Sequence, residues 1–392
     1  MNSCRSWRYT KRVCYLGYVV QAVINNYAAL LFLTFQKEYQ LSIEQVGLLA
    51  AVNFGTQLLT DFLSARFIDV IGYRASMLLA HGFAVFGLAG FTWLPESAPV
   101  PFAGLALAMA CGAVGGGLIE VIISPIVDAC SSGQGSGQMS LLHSFYCWGF
   151  AGVVLVSSIF FRLAGIRCWK QLALLWAVIP FINGIFCLFV PFPATSGSSA
   201  HWSIRRLCSQ RLFWMLLLLM LCSGAAEQAV SQWISAFTES GLHLSKSVGD
   251  LVGPLCFAVL MGISRAVFGV MGDRVNLRKG MEACGGLCVA GYLLASLSPS
   301  AVPALLGCAL CGLTVGVMWP GVLGIAARSP LAGTALFSML AFAGDLGAVC
   351  GPALVGTAAG VAGDSIRIGL LVASIFPLCL TTLLISLRRA AF

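Results

Sequence analysis

Long apolar runs alternate with short polar turns along this chain, and twelve runs can be marked. They are Val13–Phe35, Val46–Ile68, Ser76–Leu94, Phe102–Val127, Ser140–Leu163, Leu172–Val190, Leu212–Phe237, Val248–Val270, Met281–Leu297, Val302–Ala326, Thr334–Thr357 and Ile366–Leu387. A helix needs roughly 20 predominantly apolar residues to cross a bilayer, so the pattern predicts an all-α protein with twelve transmembrane helices. Between the sixth and seventh runs, Pro191–Ser209 is rich in Pro, Ser and Gly and holds no apolar run. This divides the chain into a first six-helix bundle, 1–194, a linker, 195–210, and a second six-helix bundle, 211–392.

The turn after the second run is echoed after the eighth. Ala65 to Arg74 and Gly269 to Arg278 both read small-x-x-x-Asp-x-x-x-x-Arg, with Asp69 and Asp273, and likewise Arg74 and Arg278, 204 residues apart. A motif repeated at half the chain length in a hydrophobic protein implies two similar bundles, the plan of many secondary transporters. Looser marks agree. Ser140 and Gly149 in run 5 match Ser338 and Gly347 in run 11, and Pro125 in run 4 corresponds to Pro320 in run 10. Glycines at 112, 115, 116 and 117, and at 307, 312 and 316, offer small faces for close helix packing.

Composition fixes the solvent. Of 392 residues, 59% are hydrophobic and only 9% charged, and the mean hydropathy is +0.93. Soluble domains carry about 25% charged residues, so most of this chain's surface must face a lipid bilayer. The net charge of +8 does not point to nucleic acid, because the basic residues lie in short loops and at the ends. Fifteen of them fall on the side of the two termini and six on the other, which by the positive-inside rule puts both termini in the cytoplasm. The basic N-terminus leads into the first run without a small-residue cleavage site, so that run is read as a retained helix. Most of the 16 cysteines lie in apolar runs, where a free thiol acts as a small hydrophobe. Cys308-x-x-Cys311 has no second pair, and no metal or cofactor is expected. No P-loop is present, so ATP is not expected to drive the protein.

An ionised side chain at mid-membrane costs about 2.5–3.5 kcal/mol on insertion scales, so such residues are paired or functional. Five lie well inside runs: Asp61, Glu120, Glu227, Arg265 and Asp345. Desolvation disfavours a charged carboxylate, which makes Glu120, Glu227 and Asp345 candidates to load and release a proton. Asp61 and Arg265 are also 204 residues apart; they are candidates for gating, or Arg265 for holding an anion. Around the acids lie polar bands. Run 1 carries Gln21, Asn25, Asn26 and Tyr27, and run 7 carries Gln228, Ser231 and Gln232, ending at Trp233. Gln21 and Asn25, four apart, share a helix face. Amides that bond hydroxyls, with the rings of Trp148, Trp233 and Trp319, would suit a sugar or polyol. The same amides also serve helix–helix bonding. His143 opens run 5 and is a further binding candidate.

The doubled Asp-Arg turn in a twelve-helix chain resembles the Gly-x-x-x-Asp-Arg-x-Gly-Arg-Arg signature of the major facilitator superfamily. Ala65 stands for the first Gly, Val70 for the Arg after Asp69, and Asn276 for the later Gly of the second copy. A finer resemblance is to the fucose-permease-like sugar:proton symporters. It is carried by Leu141-Leu142-His143 through Gly149, by Gly117 to Glu120 with Pro125, by Ala226-Glu227 with Trp233, and by Gly316 to Pro320. That group carries an acid in helix 1, where this chain has Gln21 to Tyr27 without a carboxylate.

The resemblance implies that helices 1, 4, 7 and 10 line the transport path. It also implies that Asp69, Arg74, Asp273 and Arg278 form an inner latch, with Asp128 as partner of the first copy, and that Asp61 and Arg265 join pairs across the halves. The function it implies is secondary transport of a small polar solute, sugar or polyol favoured, by proton-coupled symport. The competing reading is a proton-coupled exporter of drugs or organic anions. Neither reading is an enzyme. The expected partners are the substrate, protons and the lipid bilayer of a plasma membrane, taken as a bacterial inner membrane, and the expected state is a monomer.

Overall fold

The computed structural model describes residues 2–130, 135–193, 207–271, 277–327, 329–331 and 334–389. Among them the elements are helices and turns, with no strand. Among the described residues twelve helices are long and apolar enough to cross a membrane: α1 Trp7–Tyr39, α2 Ile43–Leu63, α3 Val70–Gly90, α4 Pro101–Val127, α5 Leu142–Ala164, α6 Ile166–Phe189, α7 Arg211–Gly241, α8 Lys246–Phe268, α9 Leu277–Leu297, α10 Ala301–Ala326, α11 Met339–Val361 and α12 Ile366–Ser386. The first helix overruns its apolar run at both ends, since helical hydrogen bonds are internal and continue through polar residues. The third lies earlier than its run. It stops at Gly90, and Leu94–Ser97 winds separately.

Departures from regular α geometry are local. Near the start of α3 the helical path is broken at Gly72, with φ 79° and ψ 162°, a conformation that glycine adopts without a Cβ penalty. The first copy of the charged turn therefore contains a glycine kink. Tightening to a 3-10 turn occurs in α1 at Ala28–Leu31. π-Helical turns end α7 at Phe237–Gly241 and follow the first turn of α8 at Leu251–Leu255, where Pro254 lies.

Two compact units result. One comprises Met1–Leu41 with Val52–Gly197, the other Ser42–Ala51 with Ser198–Phe392. In the first, α3 and α4 approach at glycines: a Cβ on Gly115 would stand 2.6 Å from the Ala80 carbonyl oxygen. In the second, α7 and α11 are closer still. A side chain on Gly224 would run into the backbone of Gly344, and one on Gly347 would stand 2.8 Å from the Ala225 nitrogen. Small residues let helix backbones meet where lipid supplies no hydrophobic drive.

The exposed face of α6 is apolar. On α6, Leu174, Leu175, Val178, Phe181, Ile182 and Ile185 are exposed, while Ala173, Trp176, Ala177, Pro180 and Asn183 are buried. One stripe of the helix thus suits lipid and the other its neighbours.

Candidate functional site

In the first unit the polar residues of α1 and α2 form two facing ladders. Gln21 and Asn25 sit four apart on α1, Asn53 and Gln57 four apart on α2, and all four are buried. The upper rungs meet directly, Asn53 Nδ2 donating to Asn25 Oδ1 at 3.1 Å. The lower rungs are joined through α4: Glu120 Oε2 accepts from Gln21 Nε2 at 2.6 Å and from Gln57 Nε2 at 2.5 Å. Bonds from neutral donors to an ionised acceptor are short and strong. Because the amide nitrogens are committed to the carboxylate, the oxygens Gln21 Oε1 and Gln57 Oε1 are left buried without a partner among the described residues, as is Asn53 Oδ1.

Asp61 continues the α2 stripe one further turn along. A Cβ on Gly117 would stand 2.8 Å from Asp61 Oδ1, so the missing side chain on α4 makes room for this carboxylate. Oxygens of Asp61 and Glu120 lie within 4.8 Å of one another. Asp61, expected at a gate, is thus placed beside the proton-site candidate of its own unit.

The second unit answers its acid differently. Glu227 on α7 is buried, and its Oε2 meets Arg265 Nη2 of α8 at 2.8 Å. Arg265, expected at a gate or on an anion, is paired with a carboxylate of its own unit. Next to Glu227, Gln228 Oε1 accepts from Ser231 Oγ at 3.3 Å and Gln232 Nε2 at 3.4 Å. Asp345 is buried on α11, beside Gly344, where any side chain would overlap the Trp319 ring.

Other expected binding residues are dispersed. Tyr27 is fully buried and donates to the Trp169 carbonyl at 2.5 Å. Asn26 Nδ2 donates to the Ala22 carbonyl and to Tyr146 Oη. Trp233 is fully buried, with its indole N–H on the Pro352 carbonyl at 3.0 Å. Trp148 is 48% exposed. His143 is exposed and stands 5.3 Å from the Tyr18 ring.

Of the latch residues, Arg74 donates to the Leu188 and Val190 carbonyls at 2.6 and 2.9 Å. It closes the C-terminal end of α6, where carbonyls lack helical partners and favour a cation. Arg278 lies 3.9 Å from Glu282, one turn along α9. The side chains of Asp69 and Asp128, and all of Asp273, lie outside the described residues.

Sequence reasoning missed Asn53 and Gln57. Their signal was present, since Asn53, Gln57 and Asp61 recur every four residues and must share one helix face. It missed Asp250 as well. This buried residue accepts from Ser235 Oγ at 2.5 Å and pairs with Lys246 Nζ at 3.1 Å, bracketed by the two π-helical turns.

Twelve spanning helices in two units, each with an intramembrane glutamate held by polar partners, define an integral membrane protein of the transporter class. The chain belongs to the Major Facilitator Superfamily, whose profile matches residues 14–352; it is a transporter and not an enzyme. The fold is similar to the solved structure of the superfamily transporter FucP in an outward conformation, at 16% identity over 97% of this chain and 99% of that one, with a TM-score of 0.67. A variant of the Escherichia coli fucose:proton symporter FucP is similar at 15% identity, with the same coverage and a TM-score of 0.67. At such identity the likeness concerns fold alone. No curated protein matches the chain by sequence.

Proposed function

We propose that this transporter is a proton-coupled symporter of a small polyhydroxylated solute, a sugar or polyol, working by alternating access. The observation that carries the reading is Glu120, held by two amides and within 4.8 Å of a second carboxylate, Asp61. Two carboxylates this close repel when both are ionised, and a single shared proton relieves that repulsion. Glu120 with Asp61 is therefore the proton-carrying centre. Glu227 serves differently, because its charge is met at 2.8 Å by Arg265; it organises the second unit.

The solute class follows from the amide ladders. Gln21 Oε1, Gln57 Oε1 and Asn53 Oδ1 are buried acceptors that need donors, and hydroxyl groups supply them. A buried acceptor left without a partner costs about 1–3 kcal/mol, so a hydroxylated ligand gains where an apolar one loses. The fold likeness to a fucose:proton symporter supports the same reading.

The test is proton uptake in proteoliposomes of the purified protein, with sugars, polyols, amino acids and organic acids added singly. The reading expects one hydroxylated solute to alkalinise the outer medium. Glu120→Gln should abolish that signal while the solute still binds. Proton movement driven only by an organic acid, or coupling that survives in Glu120→Gln, would overturn it.

A further inference from the structure

At the end of the second unit where α12 begins, a surface cavity of about 380 Å³ is lined by residues of three separate turns: Gly241 and His243, Ser298 and Ala301, and Arg367. Small-molecule pockets run from about 300 to 1,000 Å³, so the space suits a small group. We propose that this cavity binds an oxyanion of phosphate type, with Arg367 as its anchor and His243 as a second donor.

Arg367 carries the argument. It is the first cation of α12, half-buried, and its guanidinium lies across the Phe237 ring at 5.6 Å. Nη1 donates to the Ser298 carbonyl at 2.5 Å and Nη2 to the Gly241 carbonyl at 3.2 Å. Those bonds fix the plane of the group but leave three of its five N–H donors, and carbonyls do not neutralise its charge. No carboxylate lies within ion-pair distance of it among the described residues. Asp364, three residues earlier, is exposed in left-handed backbone, φ 64°, and makes no ion pair with it. A half-buried guanidinium held flat at a cavity wall without a counter-charge is the arrangement that planar recognition of an oxyanion uses.

The other side of the cavity adds donors. His243 also has left-handed backbone, φ 56°, a conformation uncommon outside glycine. It is held there from both sides: Leu242 N–H donates to the Phe237 carbonyl at 3.0 Å and Leu244 N–H to the Thr238 carbonyl at 3.1 Å. The turn thereby sets an exposed imidazole at the rim. Ala301, also on the wall, is the first residue of α10, whose opening N–H groups lack helical acceptors and favour negative charge. The site is independent of the amide ladders and of the solute they take.

A phosphate can arrive here free in solution or on a lipid headgroup, and the experiment separates the two. Delipidated protein in detergent is titrated with inorganic phosphate at constant ionic strength against chloride, following thermal unfolding. In parallel, protein from nanodiscs of phosphatidylcholine with or without phosphatidylglycerol is examined by native mass spectrometry for retained lipid. A phosphate-dependent stabilisation supports a soluble anion, and selective retention of phosphatidylglycerol supports a headgroup. In either arm Arg367→Gln should abolish the effect. Because Arg367 also ties two turns together, His243→Asn, which keeps a residue tolerant of left-handed backbone, is the second variant and should weaken binding roughly tenfold. The proposal fails if folded wild-type protein responds in neither arm, or if both variants respond as wild type does.

Discussion

Gln57 and Glu120 are 63 residues apart in the chain, yet the amide of one donates to the carboxylate of the other at 2.5 Å. With Gln21 on the same oxygen, this places the acid of α4 at the junction of three helices. Hydrogen bonds to charged groups contribute about 1.5–3 kcal/mol. Gln57→Leu should therefore lower stability by about that amount, read as reduced thermal unfolding temperature in detergent. In the Glu120→Gln background the same substitution should have a clearly smaller effect, because contacting residues are energetically coupled. Additive losses would show that the bond carries no such weight.

The Glu227–Arg265 pair should show the asymmetry of buried ions. Removing one partner leaves an uncompensated charge, and such losses run to about 3–5 kcal/mol. Arg265→Met alone should destabilise severely, whereas Arg265→Met with Glu227→Leu should recover much of the loss. Unfolding curves of the single and double variants decide the matter.

Ser235, Lys246 and Asp250 join the end of α7 to the start of α8. Asp250→Asn removes the charge that Lys246 meets while keeping the shape. Hydrogen exchange across 237–255 should rise by at least an order of magnitude at the two π-helical turns, with little change in α9. Unaltered protection there would assign the cluster no part in holding the turns.

Glycine substitutions should divide sharply by position. Gly224→Ala pushes a methyl into the Gly344 backbone, and overpacking of this kind costs about 1–3 kcal/mol or more. Gly286→Ala on α9 meets nothing within 4 Å. It should be neutral or stabilising, since alanine in a helix is favoured by about 0.8–1.0 kcal/mol over glycine. Side-by-side thermal unfolding and expression yield test the contrast.

Much of this protein is written locally. A spanning helix satisfies its own backbone bonds, so length and hydropathy alone determine where one forms, and the twelve runs, the family-like doubled turn and the glycine faces were all legible from the chain. The acids Asp61, Glu120, Glu227 and Asp345 stood out because a charge within an apolar run is conspicuous wherever it points. Gln57 did not, since an amide in a helix is unremarkable until its neighbour is known. Nor was it legible that Asp61 and Arg265, one position in two repeats, would each stand beside a glutamate of their own unit, one an acid beside an acid and the other a base beside an acid. Those outcomes depend on the rotation of each helix and on the small residues, such as Gly117, that let a neighbouring side chain approach. The sequence by itself determined that this chain spans a membrane twelve times and carries buried acids. Only the tertiary structure decided that Asp61 stands beside Glu120 and that Glu227 is paired with Arg265, because such pairings join distant segments through packing that no local pattern encodes.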